Sequence, residues 1–369
     1  MKLKELCFEI TNSCYLNCIY CSSFDDIVRK NCSEHLPIWI IKRVIDDFSF
    51  LGGELLELSG GEPLLHPQIF EIVDYALNKE LEVIIYTSGV LPETYNFKDI
   101  LIKLLKIGLK KIVFNCQGLD ITHDNLVRKE GAFSKLVESI KSSKDIGIWV
   151  GVHFVPNKQN FTQVGSVFSF LEDLGVDELA FLRLVKQGRA SKYWDKLEMK
   201  GDEYFRFFEC VRNLSKRNSI LSIKVGCPFD FMYILYSDWK EIHQCHAGKS
   251  SLNIIANGEV IPCPAFKDIP VAKVGNIFND SLEKIWNESN FLDQLRKLSP
   301  SQISFCNKCP HLNKCKGRCT AQRLLKNGSI EIGPDPLCKK MRLYELINEK
   351  NLKKTDSFTN WYYAVEGWS

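Results

Sequence analysis

Three thiols stand within eight residues near the start of the chain, Cys14-Tyr-Leu-Asn-Cys18-Ile-Tyr-Cys21. Thiolates from one short loop at these spacings can wrap an iron–sulfur cube. Three protein ligands leave the fourth iron open to a substrate or cofactor, much as a catalytic zinc keeps a free position. A tetrahedral zinc would need a fourth ligand, and the segment from Cys21 to Asn31 offers no His or further Cys. A second constellation comprises Cys245, Gly258, Cys263, then Cys306-x2-Cys309-x5-Cys315-x3-Cys319, then Cys338. Its C-x2-C pair also occurs in zinc ribbons, so spacing alone leaves that alternative open. The chain holds 15 cysteines without an apolar export signal at its start, and clustered thiols in a reducing compartment read as metal ligands rather than disulfides. Cys7, Cys32, Cys116 and Cys210 are isolated and read as small buried hydrophobes.

Other groups able to do chemistry recur at the ends of strand-like segments: Ser59-Gly60-Gly61-Glu62-Pro63, Thr87-Ser88-Gly89, Asn115 and Arg183. Short runs rich in Val, Ile, Leu and Phe predict strands over 3–11, 55–59, 83–87, 111–115, 149–155 and 178–184. Apolar residues at helical spacing fall between them: Ile38, Ile41, Val44, Ile45 and Phe48; Ile69, Ile72, Val73 and Ala76; Leu101, Leu104 and Leu105. Phe133, Leu136 and Ile140 follow, then Val167, Leu171 and Leu174. This alternation predicts an α/β fold with a parallel sheet. Six βα units are too few for eight-fold closure, so a partial (β/α)6 TIM-like barrel is expected, with chemistry at the C-terminal strand ends. A helix (Phe205, Phe208, Val211, Leu214) and a strand-like 221–225 come next. After Cys245 the short apolar runs among Cys, Asn, Lys, Pro and Gly predict a small cysteine-rich domain held by metal.

The first thiol trio resembles the signature of the radical S-adenosylmethionine (SAM) superfamily, C-x3-C-x-aromatic-C, with Tyr20 as the aromatic. The resemblance implies that Cys14, Cys18 and Cys21 hold a 4Fe–4S cluster and that SAM chelates its open iron. One electron then releases a 5′-deoxyadenosyl radical that abstracts hydrogen from the substrate. Ser59-Gly60-Gly61-Glu62 resembles the family's GGE motif, in which glycines admit a close ligand and the carboxylate receives the SAM ammonium. Thr87 and Ser88 match ribose-contacting positions, Asn115 a substrate- or cofactor-facing strand end, and Arg183 a SAM-carboxylate contact; His123, Asp124 and Arg128 resemble the HD…R stretch. Asn115-Cys116-Gln117-Gly118 stands where relatives often carry Ser-Leu-Asp-Gly.

The second constellation resembles the SPASM iron–sulfur domain at every position. By that resemblance Cys306, Cys309, Cys315 and Cys338 ligate one auxiliary 4Fe–4S cluster, and Cys245, Cys263 and Cys319 ligate another. A fourth ligand found in relatives falls here on Ser251, so Cys227 is the expected substitute, with an open iron as the alternative. The expected division is a barrel over 1–200, a bridging region 201–240, the SPASM domain 241–338 and a tail 339–369, whose Trp361, Tyr362 and Tyr363 are expected to pack intramolecularly.

Forty-eight basic against 45 acidic residues give no electrostatic reason for a nucleic-acid partner, and no apolar run is long enough for a membrane span. A cytoplasmic location follows. The resemblance implies an oxidoreductase that modifies or crosslinks a peptide or protein side chain, fed by an external flavodoxin- or ferredoxin-type donor. The chain begins at its first strand, so a leader peptide would call for a separate leader-binding protein. Pro264 occupies the place where sulfatase maturases carry an Asp, which demotes that activity. Radical oxidation of a small-molecule intermediate is the alternative. A non-catalytic electron-transfer or metal-binding scaffold is a further one, against which the Gly60–Glu62 motif speaks.

Overall fold

The computed structural model describes residues 1–23, 35–226, 229, 231–239 and 244–341. Apolar strand residues and amphipathic helices alternate as their periodicities predict. The strands are β1 (Glu5–Thr11), β2 (Leu55–Gly60), β3 (Glu82–Thr87), β4 (Lys111–Asn115), β5 (Trp149–Phe154), β6 (Glu178–Phe181) and β7 (Ser222–Val225). They lie side by side in that order, each parallel to the next. The sheet stays open, so the architecture is a partial barrel in which the strand-like segment at 221–225 joins the six expected strands as β7.

Among the described residues the helices of seven or more residues are α1 (Ile38–Phe50), α2 (Ile69–Asn78), α3 (Phe97–Ile107), α4 (Asp120–Val127), α5 (Ala132–Asp145) and α6 (Val164–Asp173), then α7 (Gly201–Ser215), α8 (Leu282–Glu288), α9 (Asn290–Lys297) and α10 (Thr320–Asn327). Ile41, Val44, Ile45 and Phe48 of α1 and Ile69, Ile72, Val73 and Ala76 of α2 are buried against the sheet. Two expected stripes are slightly displaced. Leu105 of α3 is exposed, and α7 buries Tyr204 and Phe207 where Phe205 was expected to lead. Aromatic partners decide this second case: Phe207 and Phe208 pack at a tilt against Phe229, and Phe207 meets Phe181 of β6 edge-on.

The cysteine-rich segment is not a separate bead. Its strand β8 (Ser251–Ile254) pairs in parallel with the free edge of β1, Glu5 opposite Ser251. An Asn257–Gly258 turn leads to β9 (Glu259–Ile261), and β10 (Gly275–Asn276) completes one ten-stranded sheet. Gly258 has φ +85°, and a Cβ there would sit 2.6 Å from the Phe278 ring, so this position needs glycine. The same segment packs on α1, where Asp47 Oδ2 accepts from the Leu282 amide at 2.7 Å, and the Trp286 indole donates to the Met1 carbonyl at 3.0 Å. Among the described residues no helix is long and apolar enough to cross a membrane.

Candidate functional site

In a parallel sheet every strand ends on the same side. The loop after β1, the turns after β2 and β3, and the ends of β4 and β6 therefore gather Cys14–Cys21, Ser59–Glu62, Thr87–Ser88, Asn115 and Arg183 along one edge.

The loop bearing the first three thiols is clamped by backbone. Asn17 and Ile19 donate to the carbonyls of Val127 and Leu126 at the end of α4, at 3.2 and 2.9 Å. The Arg189 guanidinium donates to the Cys18 carbonyl at 3.0 Å, and the Ala190 amide to that of Cys21 at 3.1 Å. The Gly60–Gly61 pair closes the other side. The amides of Gly61 and Glu62 donate to the carbonyls of Thr11 and Ser13 at 2.8 and 2.7 Å. A Cβ on Gly61 would sit 2.2 Å from the Ser13 carbonyl oxygen, and one on Gly60 2.4 Å from that of Thr11. The close approach expected of these glycines is thus made by the thiol-bearing loop itself.

Burial raises the Cys18 thiol far above its ordinary range, and the neighbouring Cys21 and Cys14 add to the effect. The Tyr20 hydroxyl donates to the Cys18 sulfur and opposes it. Three half-buried thiols crowded in one loop repel one another as thiolates, and a cationic iron cluster relieves that repulsion, so this donor set fits one. Among the described residues no three Cys, His, Asp or Glu side chains close on one point as the ligands of a single ion do.

Glu62 is buried, and its carboxylate accepts from Thr87 Oγ1 at 2.7 Å, the Ser88 amide at 2.8 Å, Ser88 Oγ at 2.6 Å and the Leu64 amide at 3.3 Å. Burial raises its carboxyl and these bonds lower it in part. Thr87 and Ser88 therefore belong with Glu62 as one network across the ends of β2 and β3. Ser59 lies opposite Glu9 of β1, and Asn115 ends β4 half-buried. Gln117, just beyond, braces β5 instead: its carbonyl oxygen Oε1 accepts from the Val155 amide at 2.9 Å. His123 Nδ1 accepts from the Gln117 amide at 3.1 Å, Asp124 caps Gly131 and Phe133, and Arg128 bonds the Tyr193 hydroxyl at 3.0 Å. These three residues brace α4 and α5.

Arg183 departs from its expected cofactor-facing role. Its two terminal nitrogens fork onto Asp335 at 2.8 and 2.9 Å, and the pair is buried at 8% and 2% side-chain exposure. Asp335 also accepts from the amides of Cys319 and Leu337. A second buried pair, Lys267 with Glu9 of β1, includes Ser23 at 2.5 Å from the ammonium. Sequence reading missed Glu9, Lys267, Asp335 and Arg189, since nothing local marks a partner about 150 or more residues away.

The later cysteines fall into two groups. Cys263 feels Cys245 and Cys319, whereas Cys338 feels Cys315, Cys306 and Cys309; burial leads in raising both thiols. Cys306 and Cys319 are pushed up to about 11, again chiefly by burial. Cys306, Cys309, Cys315 and Cys338 line one small apolar cavity with Phe231, Ile234, Phe305 and Leu312. Cys227 and the aromatic tail lie outside the described residues. Ser251 opens β8, where its amide and carbonyl complete the turn from His246.

Comparison with known proteins gives two family matches, the radical SAM superfamily over residues 8–171 and an iron–sulfur cluster-binding domain, SPASM, over residues 245–310. The chain is 24% identical over 352 residues to the Fe-coproporphyrin III synthase of Methanosarcina barkeri, covering 90% of this chain and 86% of that protein. It is 25% identical over 338 residues to the PqqA peptide cyclase of Gluconobacter oxydans, covering 90% of each. The fold matches Streptococcus suis SuiB bound to its precursor peptide SuiA with a TM-score of 0.72 at 20% identity, over 92% of this chain and 76% of that one.

Proposed function

Since the chain belongs to the radical SAM superfamily and carries a SPASM iron–sulfur domain, we propose that it is an enzyme that oxidatively modifies or crosslinks side chains of a peptide or protein. The observation that carries the reading is the meeting, at one strand edge, of a clamped thiol trio with the Glu62–Thr87–Ser88 network. In this reading Cys14, Cys18 and Cys21 hold the SAM-binding 4Fe–4S cluster. Cys306, Cys309, Cys315 and Cys338 hold one auxiliary cluster; Cys245, Cys263 and Cys319, with Cys227 as fourth thiolate, hold another. When bound and reduced, this cofactor set would supply hydrogen-atom abstraction at the substrate through a 5′-deoxyadenosyl radical and an acceptor for the electron left behind.

The chain's own residues hold the geometry. Val127, Leu126 and Arg189 fix the loop so that the thiols keep their spacing, and Gly60 and Gly61 let β2 abut it. The Tyr20 hydroxyl bonds the Cys18 sulfur and so tunes any iron bound there. Glu62 locks Ser88 and Thr87 at the rim beside the loop. The expected SPASM domain, from about residue 241, contributes Lys267 and Asp335 to the barrel, which keeps the thiol groups in fixed register.

A peptide substrate is supported by the PqqA peptide cyclase and by SuiB with its precursor peptide. A small-molecule substrate has the Fe-coproporphyrin III synthase in its favour and is the second reading. A flavodoxin- or ferredoxin-type protein is the proposed electron donor, and a separate leader-binding protein the proposed substrate escort; the cytoplasm is the proposed setting. The test is anaerobic reconstitution followed by reduction with SAM present. Wild type releases 5′-deoxyadenosine, and Cys14→Ala/Cys18→Ala/Cys21→Ala does not. Undiminished release from the triple variant overturns the reading. With a candidate peptide, loss of two hydrogens in the mass spectrum supports the peptide substrate.

A further inference from the structure

The segment that follows Cys263 is short and stiff. Cys263 caps a single tight turn, Pro264–Phe266, in which the Phe266 amide donates to the Cys263 carbonyl at 3.0 Å. The Phe266 side chain is buried and meets the Phe291 ring of α9 edge-on at 6.0 Å. Ala265, Lys267 and Asp268 therefore move with Cys263.

Each of these three residues reaches out of the cysteine-rich segment. The Ala265 carbonyl accepts from Gln187 Nε2 at 2.6 Å, and Asp268 Oδ2 accepts from the Gly188 amide at 3.0 Å. Lys267 donates to Glu9 and to Ser23 Oγ, two residues past Cys21. The loop after β6 carries the contact onward to the first thiol loop. Arg189 donates to the Cys18 carbonyl, the Ala190 amide donates to that of Cys21, and Gly188 abuts Ser22. Gly188 has φ +52°, and a Cβ there would sit 2.8 Å from the Ser22 carbonyl, so the approach needs glycine. Gln187 and Ala190 are fully buried, and Arg189 nearly so. Four consecutive residues, Gln187 to Ala190, thus grip the turn after Cys263 on one side and the Cys14–Cys21 loop on the other.

We propose that Gln187, Gly188 and Asp268 are positioning residues that clasp the two thiol groups together, so that filling the Cys245–Cys263–Cys319 site sets the Cys14–Cys21 loop for SAM. This rests on the reading of both groups as cluster ligands. None of the three residues touches the reacting atoms. With Cys263 anchored by metal, the turn holds the loop after β6, and that loop holds the carbonyls of Cys18 and Cys21. With Cys263 unanchored, the same bonds pass the slack to the first loop. The coupling is reciprocal, so SAM bound at the first group also favours metal at the second.

The test is a SAM titration of reconstituted full-length protein. The change that SAM makes in the electron paramagnetic resonance of the reduced first cluster gives its half-saturating concentration. Gln187→Met/Asp268→Ala opens the clasp with every cysteine in place. It is expected to raise that concentration about fivefold or more while total iron stays at the wild-type level. Asp268→Asn keeps an acceptor for the Gly188 amide and is expected to match wild type. Cys263→Ala empties the second site and is expected to raise the concentration by a similar factor. Joining it to the clasp variant is expected to add little, because both cut one path. Asp268 is exposed, so Asp268→Ala alone serves as a variant that folds, with an expected rise of about twofold. Unchanged half-saturation in the clasp variant, or factors that multiply when it is joined to Cys263→Ala, overturns the coupling. A wild-type signal indifferent to SAM sinks the parent reading and the clasp with it.

Discussion

His123 illustrates how a residue with catalytic credentials is assigned by its bonds. It is 1% exposed, its Nδ1 accepts from the Gln117 amide, and burial lowers its pKa to about 4. The ring is thus neutral with the proton on Nε2. Its folded pKa lies below the unfolded value of about 6.5, so the unfolded chain binds the extra proton between these values. The stability it contributes is fully present above pH 6.5 and is lost as pH falls toward 4. The loss amounts to about 1 kcal/mol between pH 7.5 and 5.5, and about 3 kcal/mol in all. His123→Asn keeps an acceptor near the Gln117 amide and removes the titration. Chemical denaturation of both proteins at pH 7.5 and 5.5 is expected to show a smaller loss for the variant by about 1 kcal/mol. An equal loss in both would assign the acid sensitivity elsewhere. The histidine was visible in the sequence beside Asp124 and Arg128; its bracing role was not, because the Gln117 amide reaches it only once α4 folds back on β4.

At the scale of elements, the Gly60–Gly61 turn sets how close β2 comes to the cysteine loop. Gly61→Ala would place a methyl 2.2 Å from the Ser13 carbonyl oxygen, and backbone on both sides leaves it nowhere to go. The loop must move, and with it the spacing of Cys14, Cys18 and Cys21. The expected outcome is loss of the first cluster alone, so that bound iron falls by about a third if three cubes are present, while the circular dichroism of the folded chain is retained. Iron analysis after anaerobic reconstitution checks this; full iron content in the variant would mean that the loop tolerates the shift. The motif itself was legible as Gly-Gly-Glu-Pro. The identity of its close neighbour was not, since Thr11 and Ser13 lie some 50 residues earlier and meet it only through the β1–β2 pairing.

At the scale of the molecule, the later cysteine-rich segment is built into the barrel by β8 on the edge of β1 and by two buried ion pairs, Lys267–Glu9 and Arg183–Asp335. Removing one partner of a buried pair leaves an uncompensated charge and costs about 3–5 kcal/mol, whereas an apolar replacement of both is far milder. Lys267→Met is therefore expected to lower stability by about 3 kcal/mol, and Lys267→Met/Glu9→Leu to recover most of it, as read from denaturant midpoints. Equal destabilisation by single and double variants would show that Lys267 acts by something other than pairing with Glu9.

Read alone, the sequence determined the identity of the chemistry: thiols at diagnostic spacings, a glycine pair before a carboxylate, and alternating apolar periods that demand a parallel sheet. These are local features, written within a few tens of residues. Tertiary structure decided what distance along the chain conceals. It turned Arg183 onto Asp335, set Lys267 against Glu9, and gave Glu62 its Thr87 and Ser88 partners. The reason is physical: a buried charge or a crowded thiol takes its character from whatever packs against it, and that neighbour is chosen by the fold rather than by sequence proximity.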